Sequence, residues 1–319
     1  MKIAILGCGI AGLSAARELR RNGVDVKLFD KSRGVGGRMS TRYAGVWEFD
    51  HGAQFFTAQD ADFKSEIDAA VRAGAAAPWP AKALYLANGK VSADYGRARY
   101  VGHPRMNSLP KFWAKGLDIE LGRRVTKITK THGWALRFED DARLGGFDGV
   151  ISTLPPAQAK EILPKNFSEM TAVSKAQMHA CFALMIGLSK AVKPSWDTLR
   201  VKNLPIDWIA INSAKSGRLK TAGSIIVHAE AHWSDKHVEA DRDWVQDVMI
   251  KCASALMDMP LTDAPHIDLH RWLYASNKSA SDRAYIKEDG LVLAGDWCLG
   301  GRVQGAWLSG RAAARAFLK

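Results

Sequence analysis

Lys2-Ile3-Ala4-Ile5-Leu6-Gly7-Cys8-Gly9-Ile10-Ala11-Gly12 is the stretch on which the fold turns. A short apolar run with β-branched residues is what a parallel strand buried on both faces requires. It leads directly into an intact GxGxxG. Leu13 to Asn22 follows as a helix, with Leu13, Ala16, Leu19 and Arg20 at helical spacing, and Gly23 is placed as its C-terminal cap. Val24 to Phe29 alternates as a second strand and ends at Asp30, 18 residues beyond Gly12. A carboxylate at about that offset accepts hydrogen bonds from a ribose, and it would repel a 2′-phosphate. In such a unit Gly7 permits the tight turn, Gly9 lets backbone N–H groups approach a pyrophosphate, and Gly12 packs helix on strand. Ile10 and Ala11 then present the helix start, with its orphan donors and partial positive charge, to the phosphates. Strand, glycines, helix, strand and acid in this order predict a dinucleotide site.

The continuation selects the dinucleotide. Lys31-Ser32-Arg33-Gly34-Val35-Gly36-Gly37-Arg38-Met39-Ser40-Thr41-Arg42 brings a second glycine pair and a guanidinium suited to a pyrophosphate, where an NAD-binding unit would proceed to a third βα repeat. This segment resembles the GGRxxT element of flavoproteins of the amine-oxidase superfamily. Phe49-Asp50-His51-Gly52-Ala53-Gln54-Phe55-Phe56 resembles that superfamily's DxGA element, whose backbone lies against the isoalloxazine. Leu121 to Lys130 and Gly133 to Phe138 read as antiparallel strands joined at Thr131-His132-Gly133, and the resemblance gives Val125 a backbone contact with adenine. Phe147 to Pro155 returns as a strand and loop, its Ser152-Thr153-Leu154-Pro155 standing where the family has an ATG-like turn. Near the end, Gly290 to Asp296 is a buried strand closing in Gly-Asp. A glycine-rich loop, Trp297 to Val303, leads to a helix opened by Gln304-Gly305-Ala306 and running to Leu318. Asp296 would bind the ribityl chain, and the helix start would favour negative charge on the reduced pyrimidine ring.

With these pieces together, the whole chain resembles the bacterial branch of the renalase-like flavoproteins. Gly37 to Arg42, Asp50 to Thr57, His270 to Ala275 and Gly295 to Trp307 carry the likeness. The resemblance implies non-covalent FAD, oxidation of 2- and 6-dihydro isomers of NAD(P)H to NAD(P)+, and reduction of O2 to hydrogen peroxide. An amine oxidase acting on a small amine is the alternative. No second GxGxxG follows, since Leu144 to Gly149 lacks the spacing, so an oxidase that empties to O2 is favoured over a pyridine-nucleotide monooxygenase. A dihydropyridine donates hydride readily, so no general base is obligatory; positioning and electrostatics suffice.

The expected class is α/β, a Rossmann-type FAD domain with a discontinuous α+β lobe that carries the substrate on an antiparallel sheet. The FAD domain takes residues 1–78, 100–155 and 266–319, and the substrate lobe 79–99 and 156–265. Leu84 to Val91 is a hairpin about Asn88-Gly89. Tyr95 to Pro110 returns with Arg97, Arg99, Tyr100, His103 and Arg105, either meeting a phosphorylated substrate or lying solvated. Residues 156–265 alternate as strands, with one helix over Arg242 to Met257. Gln54, Tyr100, His228, Trp272 and Trp297 are the substrate-pocket candidates; Trp208 and Trp233 are also possible walls, although tryptophan at such spacing is usually core. Lys31, His51 and Gly52 complete the expected cofactor contacts. His228, Glu230, His232 and His237 invite a zinc reading, but the order is not HExxH and the preceding residues read as strand, so no metal is expected. Cys298 raises covalent flavin attachment, against which burial as a small apolar residue is preferred. Arg302, Arg311, Arg315 and Lys319 read as a solvated helix face.

Composition sets outer bounds. Forty-seven per cent apolar and 24% charged residues in 319 exclude disordered and fibrous classes. The net charge of +12 (45 Lys+Arg against 33 Asp+Glu) suits polyanionic company, but no RNP, helix-turn-helix or zinc pattern supports nucleic acid. Four scattered cysteines argue for reduced thiols. The start is too short an apolar run for a signal peptide, and no stretch approaches a membrane span, so a cytoplasmic location is expected. Oligomeric state is open.

Overall fold

A computed structural model describes residues 1–94 and 96–318. Tyr95, expected to open the returning basic segment, and Lys319, expected on the last helix face, lie outside the described residues. Lys2–Leu6 is the centre of a six-stranded sheet in the order Ile286–Glu288, Leu291–Leu293, Gly149–Ser152, Lys2–Leu6, Asp25–Asp30, Asp118–Leu121. All neighbours pair in parallel except the edge strand Ile286–Glu288. The inner strands Lys2–Leu6, Gly149–Ser152 and Leu291–Leu293 are buried on both faces because both faces are covered. Ile3, Ile5, Val26, Leu28 and Val292 meet the helices Ile10–Arg21 and Val303–Arg315. Ala4, Leu6, Phe29 and Val150 meet a three-stranded antiparallel sheet of Val125–Lys130, Trp134–Phe138 and Arg143–Phe147. This is the expected Rossmann-type architecture.

The helix begins at Ile10 rather than Leu13, because Leu13 N already bonds to Gly9 O at 3.0 Å; the glycine motif itself enters the helix. The expected strand from Leu121 to Lys130 is two strands. Asp118–Leu121 joins the parallel sheet, Gly122 turns the chain at a φ of +68°, and Val125–Lys130 starts the small sheet. A left-handed residue cannot continue a strand. The supposedly solvated face of the last helix is paired: Arg311 contacts Asp62 and Glu18, and Arg315 contacts Glu18.

The second lobe is a seven-stranded sheet, ordered His266–Ser279, Gln177–Leu188, Gly223–Ala229, Ile206–Ile211, Thr198–Val201, Ala83–Ala87, Lys90–Ala93. Asn88 and Gly89 both take positive φ, as the hairpin reading requires. Alternation decides its faces. Phe182, Leu184 and Ile186 with Ile225 and Val227 pack under the helix Arg242–Met257; Cys181 and His228, of opposite parity, turn to the first lobe. Two expected boundaries change. His266–Ser279 belongs to this sheet, paired along Gln177–Leu188, because its fourteen residues alternate against that strand. Residues 156–175, expected in this lobe, form the helices Pro156–Ile162 and Met170–Lys175, whose Ile162, Leu163 and Val173 fill the core of the first. A further short helix, Ala231–Lys236, also breaks the expected run of strands.

Candidate active site

A cavity of about 1120 Å³ lies between the two lobes, at the upper end of small-molecule sites. One end is built by the glycine motif. Gly7 stands at a φ of +99°, and a Cβ on Gly12 would lie 1.9 Å from the Gly7 carbonyl oxygen, so the helix approaches the turn this closely only because Gly12 has no side chain. Gly9, Ile10 and Ala11 line the cavity. Because the first helical bond is made by Leu13 N, the N–H groups just before it have no partner within the helix. A Cβ on Gly9 would meet nothing within 4 Å. Open space beside a helix start is the environment a pyrophosphate needs. Asp30 sits beyond, its carboxylate accepting from Cys8 N at 2.6 Å and Ser32 N at 2.8 Å; Lys31, Val125 and the sequence-unmarked Arg123 and Arg124 join it on the wall. The carboxylate therefore holds the turn as well as facing the cavity. Asp30→Ala is expected to weaken dinucleotide retention ~10-fold or more, a loss of roughly two charge-assisted hydrogen bonds; unchanged flavin content after gel filtration would remove the assignment.

The middle of the wall joins the chain's two ends. Arg38 donates to both carboxylate oxygens of Asp296, at 2.8 and 2.6 Å, and to Ala275 O at 3.0 Å. Both side chains line the cavity, engaged with one another rather than free. Gly37 and Ala306 line it too. Gln304 and Gly305 do not. The Gln304 amide oxygen accepts from Gln59 N and Asp60 N at 2.7 and 3.1 Å, beside the start of helix Ala61–Arg72; Gly305 packs under Leu299 O. These two close the scaffold instead of facing the cavity.

The far end is aromatic. Gly52, Ala53, Gln54, Phe55, Trp208 and Trp272 line it, with His228 and Cys181 from the second sheet. The Trp208 indole nitrogen is buried without a partner. Tyr100 stacks on Phe56 at 6.0 Å, outside this wall, since its short strand pairs with Ala76–Pro78. Trp297 is 1% exposed and donates to Leu154 O at 3.2 Å; it is core of the first lobe, not a cavity wall. Of the basic segment, Arg97 and Arg99 reach the cavity, while Arg105 is bound to Glu48 and His103 faces Ser216. Arg200, which the sequence did not mark, stands with them. Trp233 stacks on Trp244 away from the site.

His51 is a supporting residue, not a cavity contact. Its ring stacks on Trp272 at 5.0 Å and meets His270 edge-on at 5.0 Å. Its carbonyl accepts from Trp272 Nε1 at 3.0 Å and faces His228 Nε2 at 3.2 Å. An N–H must point at a carbonyl, so the His228 proton sits on Nε2 and Nδ1 is an acceptor. Burial first, with Arg42 and the neighbouring imidazoles adding to it, pushes His51 down to about 3; burial alone dominates for His228 and His270, each at about 4. All three are neutral in the fold and charged in the unfolded chain below about pH 6.5. Stability is therefore intact above that pH and falls as pH drops toward the folded values, by about 2 kcal/mol each for the buried His51 and His228 between pH 7 and pH 5 and by less for the more exposed His270. His51→Gln should remove one such share, read as a smaller difference between denaturant midpoints at those two pH values. An identical difference would refute it.

Behind Gln54 lies a buried ionic group that the sequence did not announce. Asp50 accepts from Thr41 Oγ1 at 2.8 Å, Lys215 Nζ at 3.3 Å and Arg218 Nη2 at 2.5 Å; Lys215 also donates to Gln54 Oε1 at 3.2 Å. Burial alone would raise the Asp50 carboxyl, but the two cations and their hydrogen bonds outweigh it and hold it at about 2. Burial lowers Lys215 to about 8, partly offset by Asp50. Among the described residues no group of His, Cys, Asp and Glu is arranged for a metal, and none of their helices is long and apolar enough to cross a membrane.

Residues 62–318 match the family described as flavin containing amine oxidoreductase, and residues 5–66 the NAD(P)-binding Rossmann-like domain. The chain belongs to the flavin-containing amine oxidoreductase family. Membership of this family implies a flavin cofactor, and the open helix start, the Asp30 carboxylate and the long cavity fit FAD. The solved structure of a putative protoporphyrinogen oxidase from Exiguobacterium sp. 255-15 is similar over 99% of this chain and 98% of its own, at 12% identity and a TM-score of 0.81. Putrescine oxidase bound to putrescine is similar over 100% and 99%, at 11% identity and a TM-score of 0.76. These likenesses are of fold. A 4,4'-diapophytoene desaturase (4,4'-diaponeurosporene-forming) of Staphylococcus aureus is 42% identical over 52 residues, 16% of this chain and 10% of that protein. The chain thus spans about a tenth of the length of that curated relative.

Proposed function

We propose that this family member is a renalase-like oxidase: hydride passes from 2- or 6-dihydro isomers of NAD(P)H to FAD and the electrons then go to O2, giving NAD(P)+ and hydrogen peroxide. The observation that carries the reading is the balance of charge and surface at the far end of the cavity. Three cations, Arg97, Arg99 and Arg200, line this part of the cavity with two carboxylates, Asp207 and Asp94, the latter contacting Arg99 at 2.6 Å and Arg200 at 4.0 Å. Beyond this basic rim the walls are Phe55, Trp208 and Trp272. A planar ring carrying a phosphorylated tail meets both features; a cationic amine meets only the second. Bound flavin supplies the hydride acceptor. The chain's part is to stack and desolvate the donor between aromatic walls and to offer His228 Nδ1 as an acceptor for a donor N–H. The cluster around His51 stays neutral, so it places no positive charge against a ring that becomes cationic on losing hydride. FAD is held non-covalently in this reading: the Cys298 thiol is 1% exposed and burial raises it to about 11, leaving it protonated and unreactive.

The second reading is an amine oxidase. Asp207 also lines the cavity, and burial, reinforced by Glu230, raises its carboxyl to about 6; ionised at neutral pH, it would attract an ammonium group. Anaerobic bleaching of the flavin separates the two. The first reading requires rapid bleaching by 6-dihydro-NAD and none by a panel of amines. The reverse pattern establishes the second. Acid precipitation should leave all flavin in the supernatant; flavin in the pellet would refute non-covalent binding.

A further inference from the structure

The interior behind the turn Gly52 to Gln54 holds more positive than negative charge. Asp50 and Lys215 are 0% exposed and Arg218 4%. One carboxylate faces both cations, Lys215 at 3.3 Å and Arg218 at 2.5 Å. The remaining donors of Arg218 go to the carbonyls of Gly102 and Ser216, at 2.6 and 2.7 Å, which carry no charge. Glu48, close in sequence, is occupied by Arg105. Lys220, on the same loop as Lys215, donates to Ser213 O and Lys215 O and adds no counter-charge. The group therefore carries a net charge of one positive unit, sealed from water and screened little by salt. It is coupled to the cavity: Lys215 donates to Gln54 Oε1, and Gln54 Nε2 in turn donates to the carbonyls of Asp50 and Gly52. Gly52, Ala53 and Gln54 are the cavity wall.

We propose that Lys215 and Arg218, outnumbering Asp50, form a buried cationic unit that raises the reduction potential of the bound flavin. Reduction to the anionic form adds two electrons and one proton to the flavin and leaves the unit's own protonation unchanged. The added negative charge develops in a low-dielectric interior, where a fixed cation stabilises it without reorganisation. Gln54, fixed by its three hydrogen bonds, keeps the wall between charge and ring rigid. The unit acts on whichever donor the enzyme oxidises, so it does not depend on the choice between a dihydropyridine and an amine.

The test is the midpoint potential of FAD in the holoprotein, measured by dye equilibration without organic substrate. Lys215→Gln and Arg218→Gln each neutralise the unit while leaving Asp50 one cation. Each is expected to lower the reduced-to-oxidised ratio at fixed potential about tenfold, a downward shift of about 30 mV for a two-electron couple. Lys215→Arg should keep the wild-type value. Wild-type potentials in flavin-loaded Lys215→Gln or Arg218→Gln would overturn the proposal. Loss of folding or of FAD in both variants would also overturn it, since the unit would then be structural. Because no substrate is present, the amine and dihydropyridine readings stand or fall separately.

Discussion

Gly12→Ala is expected to purify with less than about a tenth of the wild-type flavin. The added Cβ would lie 1.9 Å from Gly7 O and 3.2 Å from Thr153 Oγ1. The first contact is with backbone, so no side chain can swing aside. Relief must come from the helix Ile10–Arg21 lifting off the strand Lys2–Leu6. The same helix is clamped on its other side, where a Cβ on Gly310 would stand 2.0 Å from Ala11 O, and it cannot lift without disturbing Val303–Arg315. The overpacking costs at least the usual ~1–3 kcal/mol, and it displaces the N–H groups at the helix start that, in the proposed FAD site, face the pyrophosphate. The measurement is the flavin-to-protein absorbance ratio after desalting. Gly34→Ala is the control, since a Cβ there meets nothing within 4 Å. Full flavin content in Gly12→Ala, or equal loss in the control, would falsify the account.

Asp50→Ala carries the second large effect. Removing the carboxylate leaves Lys215 and Arg218 buried side by side, and orphaning a buried partner costs ~3–5 kcal/mol. For a chain of this size that corresponds to a fall of roughly 10 °C in the melting temperature. The loss comes from repulsion and desolvation, not from missing volume. Asp50→Ala/Lys215→Met should therefore recover part of it, whereas a cavity effect would grow in the double variant. Thermal melts of the wild-type, Asp50→Ala and Asp50→Ala/Lys215→Met holoproteins decide between these outcomes.

What the sequence discloses is what is written locally. GxGxxG, the acid at Asp30 and the Gly-Asp at Gly295-Asp296 each need a particular residue type at one backbone position, so the first lobe could be read before its packing was known. Asn88-Gly89 gave the hairpin for the same reason. The second lobe was legible as alternation but not as boundaries: His266–Ser279 looks no different whether it pairs with one sheet or the other, because parity is satisfied by either. Site residues divide the same way. Gly9, Ala11 and Asp30 are positions at the ends of a helix and a strand, set by the local backbone. Trp297, Gln304 and Tyr100 sit in marked segments, yet a side chain's direction depends on contacts far along the chain. Lys215 lies 165 residues from Asp50 in an unremarkable loop, and nothing near it signals a buried lysine. Electrostatic groups assembled from distant segments leave no periodicity to find.

The close packing of Ala11 against Gly310 has an implication for biosynthesis. The helices Ile10–Arg21 and Val303–Arg315 lie far apart in sequence, yet the cavity wall needs Gly9 and Ala306 together. Asp25–Asp30 pairs with Lys2–Leu6 and Asp118–Leu121, but the sheet that carries them is complete only when Gly149–Ser152 and Leu291–Leu293 are added. A polypeptide that stops short of Val303–Arg315 lacks this part of the wall and is expected to hold FAD less well than the folded chain. Supply of FAD would then act on the finished chain as a trap that draws loosely assembled molecules into the folded population.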